Sequence, residues 1–146
     1  MHLPTANGLD TSSLPWDDYA RRAILNNQLT DHFTLDEFRC PCCLDVNEAA
    51  ARALAARLEE VRLEYGPMRI ESGFRCPRQN EHVGGRPFSQ HLTGLAADIQ
   101  CTDDADRYRL LLLLLSLGFK RIGIGKTIIH ADISTVTGPV IWTYYP

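Results

Sequence analysis

Long apolar runs are missing from this chain. The longest, Leu110 to Leu115, is six residues, whereas a membrane-spanning helix needs about 20. Basic excess is missing too: 15 Lys and Arg stand against 18 Asp and Glu, a formal net charge of -3, which argues against nucleic acid or an anionic membrane as the main partner. No internal repeat and no low-complexity tract interrupts the sequence. The start, MHLPTANGLDTSSLPWDDYARR, has neither the basic opening nor the apolar stretch of a secretory signal, so a soluble chain without an ordinary export address is expected. Cysteines are few and odd in number: Cys40, Cys42, Cys43, Cys76 and Cys101. Cys40 and Cys43 have CxxC spacing, but no second pair follows to complete a zinc ribbon. One bridge from the cluster to Cys76, a fully reduced set and a small metal site built from the cluster all stay open on spacing alone.

What is present is ordinary globular material: 146 residues, 45% hydrophobic and 23% charged, enough for one domain with its own core. Residues 1–30 read as a partly irregular arm packed through Leu14, Trp16, Tyr19 and Ile24, and residues 31–146 as the domain proper. HFTLDEF (His32 to Phe38) reads as a turn or short helix anchored by Phe33 and Phe38. Asn47 to Tyr65 is the clearest helix, with Leu54, Leu58, Val61 and Tyr65 on one stripe, Asn47 as cap and Gly66-Pro67 as stop. MRIES reads as a strand, and residues 76–90 as one long loop with functional potential. Leu95 to Cys101 is a strand, Thr102 to Gly118 a helix whose leucines imply burial on most sides, and RIGIG, TIIHADI and VIWTYY are three short strands. Helix, strand, loop, strand, helix and three strands make an α+β domain: a small, mainly antiparallel sheet with helices packed on one side.

Chemistry concentrates in two stretches. In SQHLTGLAADI, His91 and Asp98 stand seven apart with small or apolar residues and one threonine between. In TIIHADI, His130 and Asp132 share one strand face while Ile129, Ala131 and Ile133 share the other. If the two strands pair with those faces together, Asp98 meets His130, and His91 can fold back over both; Gly94 and Ala96 leave room for the turn and the carboxylate. Two imidazoles and one carboxylate form a known zinc set, and three protein ligands leave a fourth position for water, as in catalytic sites. A single buried histidine is usually just hydrogen-bonded core; three residues in compatible phase beside a Gly-rich loop are a different matter.

Ser89, His91, Gly94, Ala96 and Asp98 satisfy SxHxxGxAxD, and a strand histidine, His130, follows. With SGFRCPRQN (Ser72 to Asn80), the Gly84-Gly85 pair and GIGKTIIHADI, the chain over roughly residues 32–145 resembles the zinc D-Ala-D-Ala carboxypeptidases and related phage endolysins, in their small single-domain branch. That resemblance implies a hedgehog/DD-peptidase-like fold, Zn2+ held by His91, Asp98 and His130, and peptidoglycan stem peptides or cross-links as substrate. It also gives Arg75 a catalytic and substrate-contacting place beside the metal, where a guanidinium suits a carboxylate or a developing oxyanion. Ser89 and Gln90 fall in the same substrate-binding loop, shaping it and supporting the ligands.

One departure stands out. Related branches carry a general base two or three residues before the last histidine, and here those positions are Ile128 and Thr127. Asp132 is then the nearest candidate for the catalytic base, or else the partner that orients His130; Glu81 and His82 are weaker candidates. A monomeric lysis-type enzyme of phage or prophage origin is expected, cytoplasmic until a holin releases it to the wall, or carried on a virion. The competing expectation is a non-catalytic, zinc-stabilised binding or assembly module on the same fold. Neither expects nucleic acid or membrane as partner.

Overall fold

The computed structural model describes residues 18–145. The expected packing of Leu14, Trp16 and the Tyr19 side chain lies outside what is described. Within the supposed arm, Asp18–Asn27 is a helix, α1, and Ile24 on it is half-buried.

Leu35–Phe38 forms a 3-10 turn, closed by a capping box in which Thr34 and Glu37 bond reciprocally. Phe33 and Phe38 are buried beside it, as expected. Helix α2 spans Glu48–Tyr65, with the Asn47 side chain accepting from the Ala50 N–H and Gly66 closing the end. Strand β1 is Ile70–Ser72. The stretch read as one long loop contains a short helix, α3, at Pro77–His82 and a 3-10 turn at Gln90–Leu92. Proline at the first helical position costs α3 nothing, and the Cys76 sulfur takes the cap that Ser or Asp usually fills. Strand β2 (Ala96–Gln100), helix α4 (Asp104–Ser116), and strands β3 (Arg121–Ile124), β4 (Ile128–Asp132) and β5 (Val140–Thr143) complete the fold.

The five strands form one sheet in the order β1-β2-β4-β3-β5. All neighbours are antiparallel except β3 and β5, which run parallel. The α+β class and the mainly antiparallel sheet follow the sequence reading. Alternation sorts the residues by face. Ala97, Ile99, Ile122, Ile129 and Ala131 point into one core with Leu54, Leu58 and Val61 of α2 and Leu110 and Leu114 of α4. The opposite face carries Asp98, His130, Asp132, Arg121 and Trp142. Helix α4 corrects one expectation: its leucines are not buried on most sides, since Leu112 and Leu115 are 51% and 46% exposed. The helix lies on the sheet by one stripe only.

Candidate metal centre

The β2–β4 register decides the site, because it pairs Asp98 directly with His130 and Ala96 with Asp132. Histidine 91 arrives from the 3-10 turn before β2. There the Ser89 hydroxyl accepts from the His91 N–H, and Gly94, at φ 81°, turns the chain back into the strand. A side chain at Gly94 would be strained by that dihedral and would press on Asn47 and Ala50 at 3.1 Å. The Arg75 N–H donates to the His91 carbonyl at 2.9 Å, tying the turn to the segment after β1.

Histidine 91, Asp98 and His130 are all buried, and their ligand atoms lie within 4.8 Å of one another. His91 Nε2 is 3.2 Å and His130 Nδ1 is 3.1 Å from the same oxygen, Asp98 Oδ1. The outer nitrogens are already committed. His91 Nδ1 lies 2.7 Å from the Gly73 carbonyl, which can only accept, so the proton sits on Nδ1. His130 Nε2 lies 2.9 Å from Asp132 Oδ2, which fixes the other ring the same way. Two nitrogen lone pairs and a carboxylate oxygen thus converge with no donor among them, and a divalent cation suits that set. Donors bound tetrahedrally to zinc sit about 3.4 Å apart, close to the spacing found here.

With no cation bound, a proton on the inward side of an imidazole would take its place: burial alone would push the Asp98 carboxyl up, but hydrogen bonds and charge from His130 and His91 hold it well below the usual carboxylate range. Burial likewise presses the His130 imidazole down, yet Asp132 and Asp98 outweigh it and raise it above the ordinary histidine value, so that a proton and a metal ion compete for the ring. Arg75 donates from Nη2 to Asp98 Oδ2 at 3.0 Å and from Nε to Ser72 Oγ at 3.0 Å. It therefore braces the ligand carboxylate as well as facing the cleft.

Asp132 is fully enclosed. Its Oδ2 faces His130, while Oδ1 accepts from Arg121 Nε at 2.8 Å and from the Ser134 N–H at 3.1 Å. Both oxygens are spent on holding neighbours, a geometry that favours orienting His130 over shuttling protons. Ser89 and Gln90 line the cleft, but the Gln90 side chain bonds to Thr93 Oγ1 and its carbonyl to the Thr93 and Leu95 amides. Glu81 and His82 are exposed and do not line the cleft. Thr127 caps no chemistry either; its carbonyl accepts from the Cys101 N–H.

The cleft over the three residues holds about 1130 Å³ and opens to solvent. Phe88, Arg86, Trp142 and Tyr144 on its walls escaped the sequence reading. The Trp142 ring packs against His130 at a tilt of 56°, centroids 5.1 Å apart, and Gly123 makes that possible, because a Cβ there would sit 2.7 Å from the indole. The parallel β3–β5 pairing that aligns Gly123 with Trp142 joins distant segments, so no local signal announced it. Burial raises the Tyr144 phenol, and the Asp98 charge adds to this, so it stays protonated as a donor at the cleft.

Residues 31–133 match the model of the family described as Peptidase M15. No curated protein matches the chain.

Proposed function

The chain belongs to the peptidase M15 family of zinc-dependent peptidases, and on that premise we propose that it hydrolyses peptidoglycan stem peptides or cross-links, as a D-Ala-D-Ala carboxypeptidase or endopeptidase of the phage-lysis type. One observation carries the reading: three acceptors aimed at a common point on the floor of an open cleft.

Zinc held by His91 Nε2, Asp98 and His130 Nδ1 would supply Lewis acidity toward the scissile carbonyl and the attacking water. The chain's own residues do the rest. The Gly73 carbonyl and Asp132 keep both imidazoles in the tautomer that offers a lone pair inward. Arg75 and Arg121 anchor the two carboxylates, so neither can swing away. Arg86 is exposed on the cleft wall and makes no ion pair among the described residues, which suits it to a substrate carboxylate. Phe88 and Trp142 give the small side chains of a stem peptide an apolar surface, and the Tyr144 hydroxyl can donate to an oxygen that gains charge.

Turbidity of outer-membrane-permeabilised bacteria, with mass spectrometry of the released muropeptides, tests the proposal. Zinc-loaded protein should lower turbidity and shorten or unlink stem peptides, and His91→Ala should do neither. Intact muropeptides after digestion with pure zinc-loaded protein would overturn it. A second reading, a zinc-stabilised binding module without turnover, draws on one feature: Asp98 and Asp132 are the only carboxylates among the described cleft residues, and both are engaged. In that case zinc removal would abolish partner binding and lower the melting temperature, with no cleavage at any zinc level.

A further inference from the structure

Away from the histidine cleft, a second set of ligand-type side chains converges. Cys40, Cys43 and Cys76 bring their sulfurs within 4.8 Å of one another, Cys40 buried, Cys76 half-buried and Cys43 exposed. Three sulfurs around a zinc ion at 2.3 Å lie about 3.8 Å apart, so closing the triangle asks for a shift of an ångström or less.

The backbone is shaped around these sulfurs. The Cys76 N–H reaches Cys40 Sγ at 3.4 Å, and the amides of Cys42 and Cys43 also point at it. The Gln79 N–H reaches Cys76 Sγ at 3.4 Å. The 40–45 segment closes on itself through Leu44 N–H to Cys40 carbonyl and Cys40 N–H to Asp45 carbonyl, both 2.8 Å. Just after Cys43 the chain enters the left-handed region at Leu44, φ 62°, the one described non-glycine residue with positive φ. A leucine held there, 67% exposed, marks a backbone constrained by something other than its own side chain. Charge fits as well. Three thiolates and a divalent ion sum to -1, and the Arg78 guanidinium lies beside the cluster, donating to Cys42 Sγ from Nε and Nη2 at 3.2 and 3.0 Å.

We propose that Cys40, Cys43 and Cys76 form a second metal site, for a thiophilic divalent ion such as Zn2+, which ties two segments of the chain together and leaves its fourth position to a water or a further ligand. A disulfide would use two of the three sulfurs and leave the third without purpose; a metal uses all of them. The site joins the segment after the first 3-10 turn to the segment after β1, which also meet where the Phe74 N–H donates to the Phe38 carbonyl at 2.9 Å. Arg75, one residue from Cys76, is thereby held where it braces Asp98. The proposal stands whether or not the histidine cleft hydrolyses anything.

Cobalt titration of the fully reduced chain tests it, because Co2+ bound to thiolates gives an intense near-ultraviolet charge-transfer band that histidine and carboxylate ligands do not give. The band should appear in wild type, saturate at one equivalent in the His91→Ala/His130→Ala double variant, where the other site is gone, and disappear in Cys43→Ser and Cys76→Ser. Reduced wild-type protein with five titratable thiols and no such band would overturn the proposal, as would a band indifferent to both serine variants. Should the variants misfold, X-ray absorption of the zinc-loaded wild type decides without them: a sulfur shell at about 2.3 Å supports the site, and its absence refutes it.

Discussion

Asp132 can serve in only one of two ways, and a single atom separates them. Replacing Asp132 by Asn keeps the shape and the bond to His130 but removes the charge. If the carboxylate orients His130, zinc affinity should weaken about 10- to 100-fold, read by competition against a chelator, and activity should return at saturating zinc. A proton-transferring Asp132 would instead leave affinity alone and depress kcat at every zinc concentration. The sequence brought this residue to the right face, since a period of two is visible in four letters. It could not show that Arg121 and Ser134 take the remaining oxygen, because those contacts depend on where β3 lands. A second residue-scale prediction concerns pH. Burial would raise the Glu59 carboxyl, but bonds from Thr30 and His32, the latter at 2.6 Å, lower it overall. A carboxylate depressed by folding stabilises above its unfolded pKa, about 4.3, and that contribution is lost as pH falls through the lower, folded value. Glu59→Gln should therefore lower the melting temperature at pH 7 by about 2–4 °C, for roughly 1 kcal/mol in a chain of this size. Its deficit should shrink to nothing in acid, as thermal scans across pH would show.

Among the elements, α4 teaches most about what a sequence conceals. Six leucines in a row carry no polar punctuation, so periodicity has nothing to read, and burial on most sides was the natural expectation. The sheet offers only one face to the helix, so Leu110 and Leu114 are fully buried while Leu112 is 51% exposed. Leu114→Ala should accordingly cost about 2–5 kcal/mol, and Leu112→Ala no more than about 0.5 kcal/mol, measured by denaturant unfolding. Equal losses would mean that the outer leucines are covered too. Helix α3 was hidden for another reason. Its opening Cys-Pro lacks the usual capping residues, and Gly84, Gly85 and Pro87 nearby suggested a loop throughout. Helix α2 was legible end to end because Asn47, the leucine stripe and Gly66 agree with one another.

At the scale of the molecule, the metal centre is assembled by tertiary structure from three segments: the turn before β2, β2 itself and β4, with the segment after β1 and strand β3 supplying the braces. The strand phases of Asp98 and His130 were readable locally, and their pairing was a conditional that the β2–β4 register fulfils. The cleft walls were not readable, because Trp142 comes from a strand that joins the sheet in parallel at its far edge. Such an assembly has a thermodynamic consequence. The three ligands meet only in the folded chain, so zinc binding there must stabilise folding, by about 4 kcal/mol when free zinc is 1,000 times Kd. For a domain of this length that corresponds to a rise in Tm on the order of 10 °C. His130→Ala removes one ligand of this centre and none of the cysteine cluster, so the zinc-induced rise in wild type should exceed that in the variant by roughly this amount. Equal rises in the two proteins would mean that the converging face of β2 and β4 grips no metal, and the hydrolase reading would lose its foundation with it.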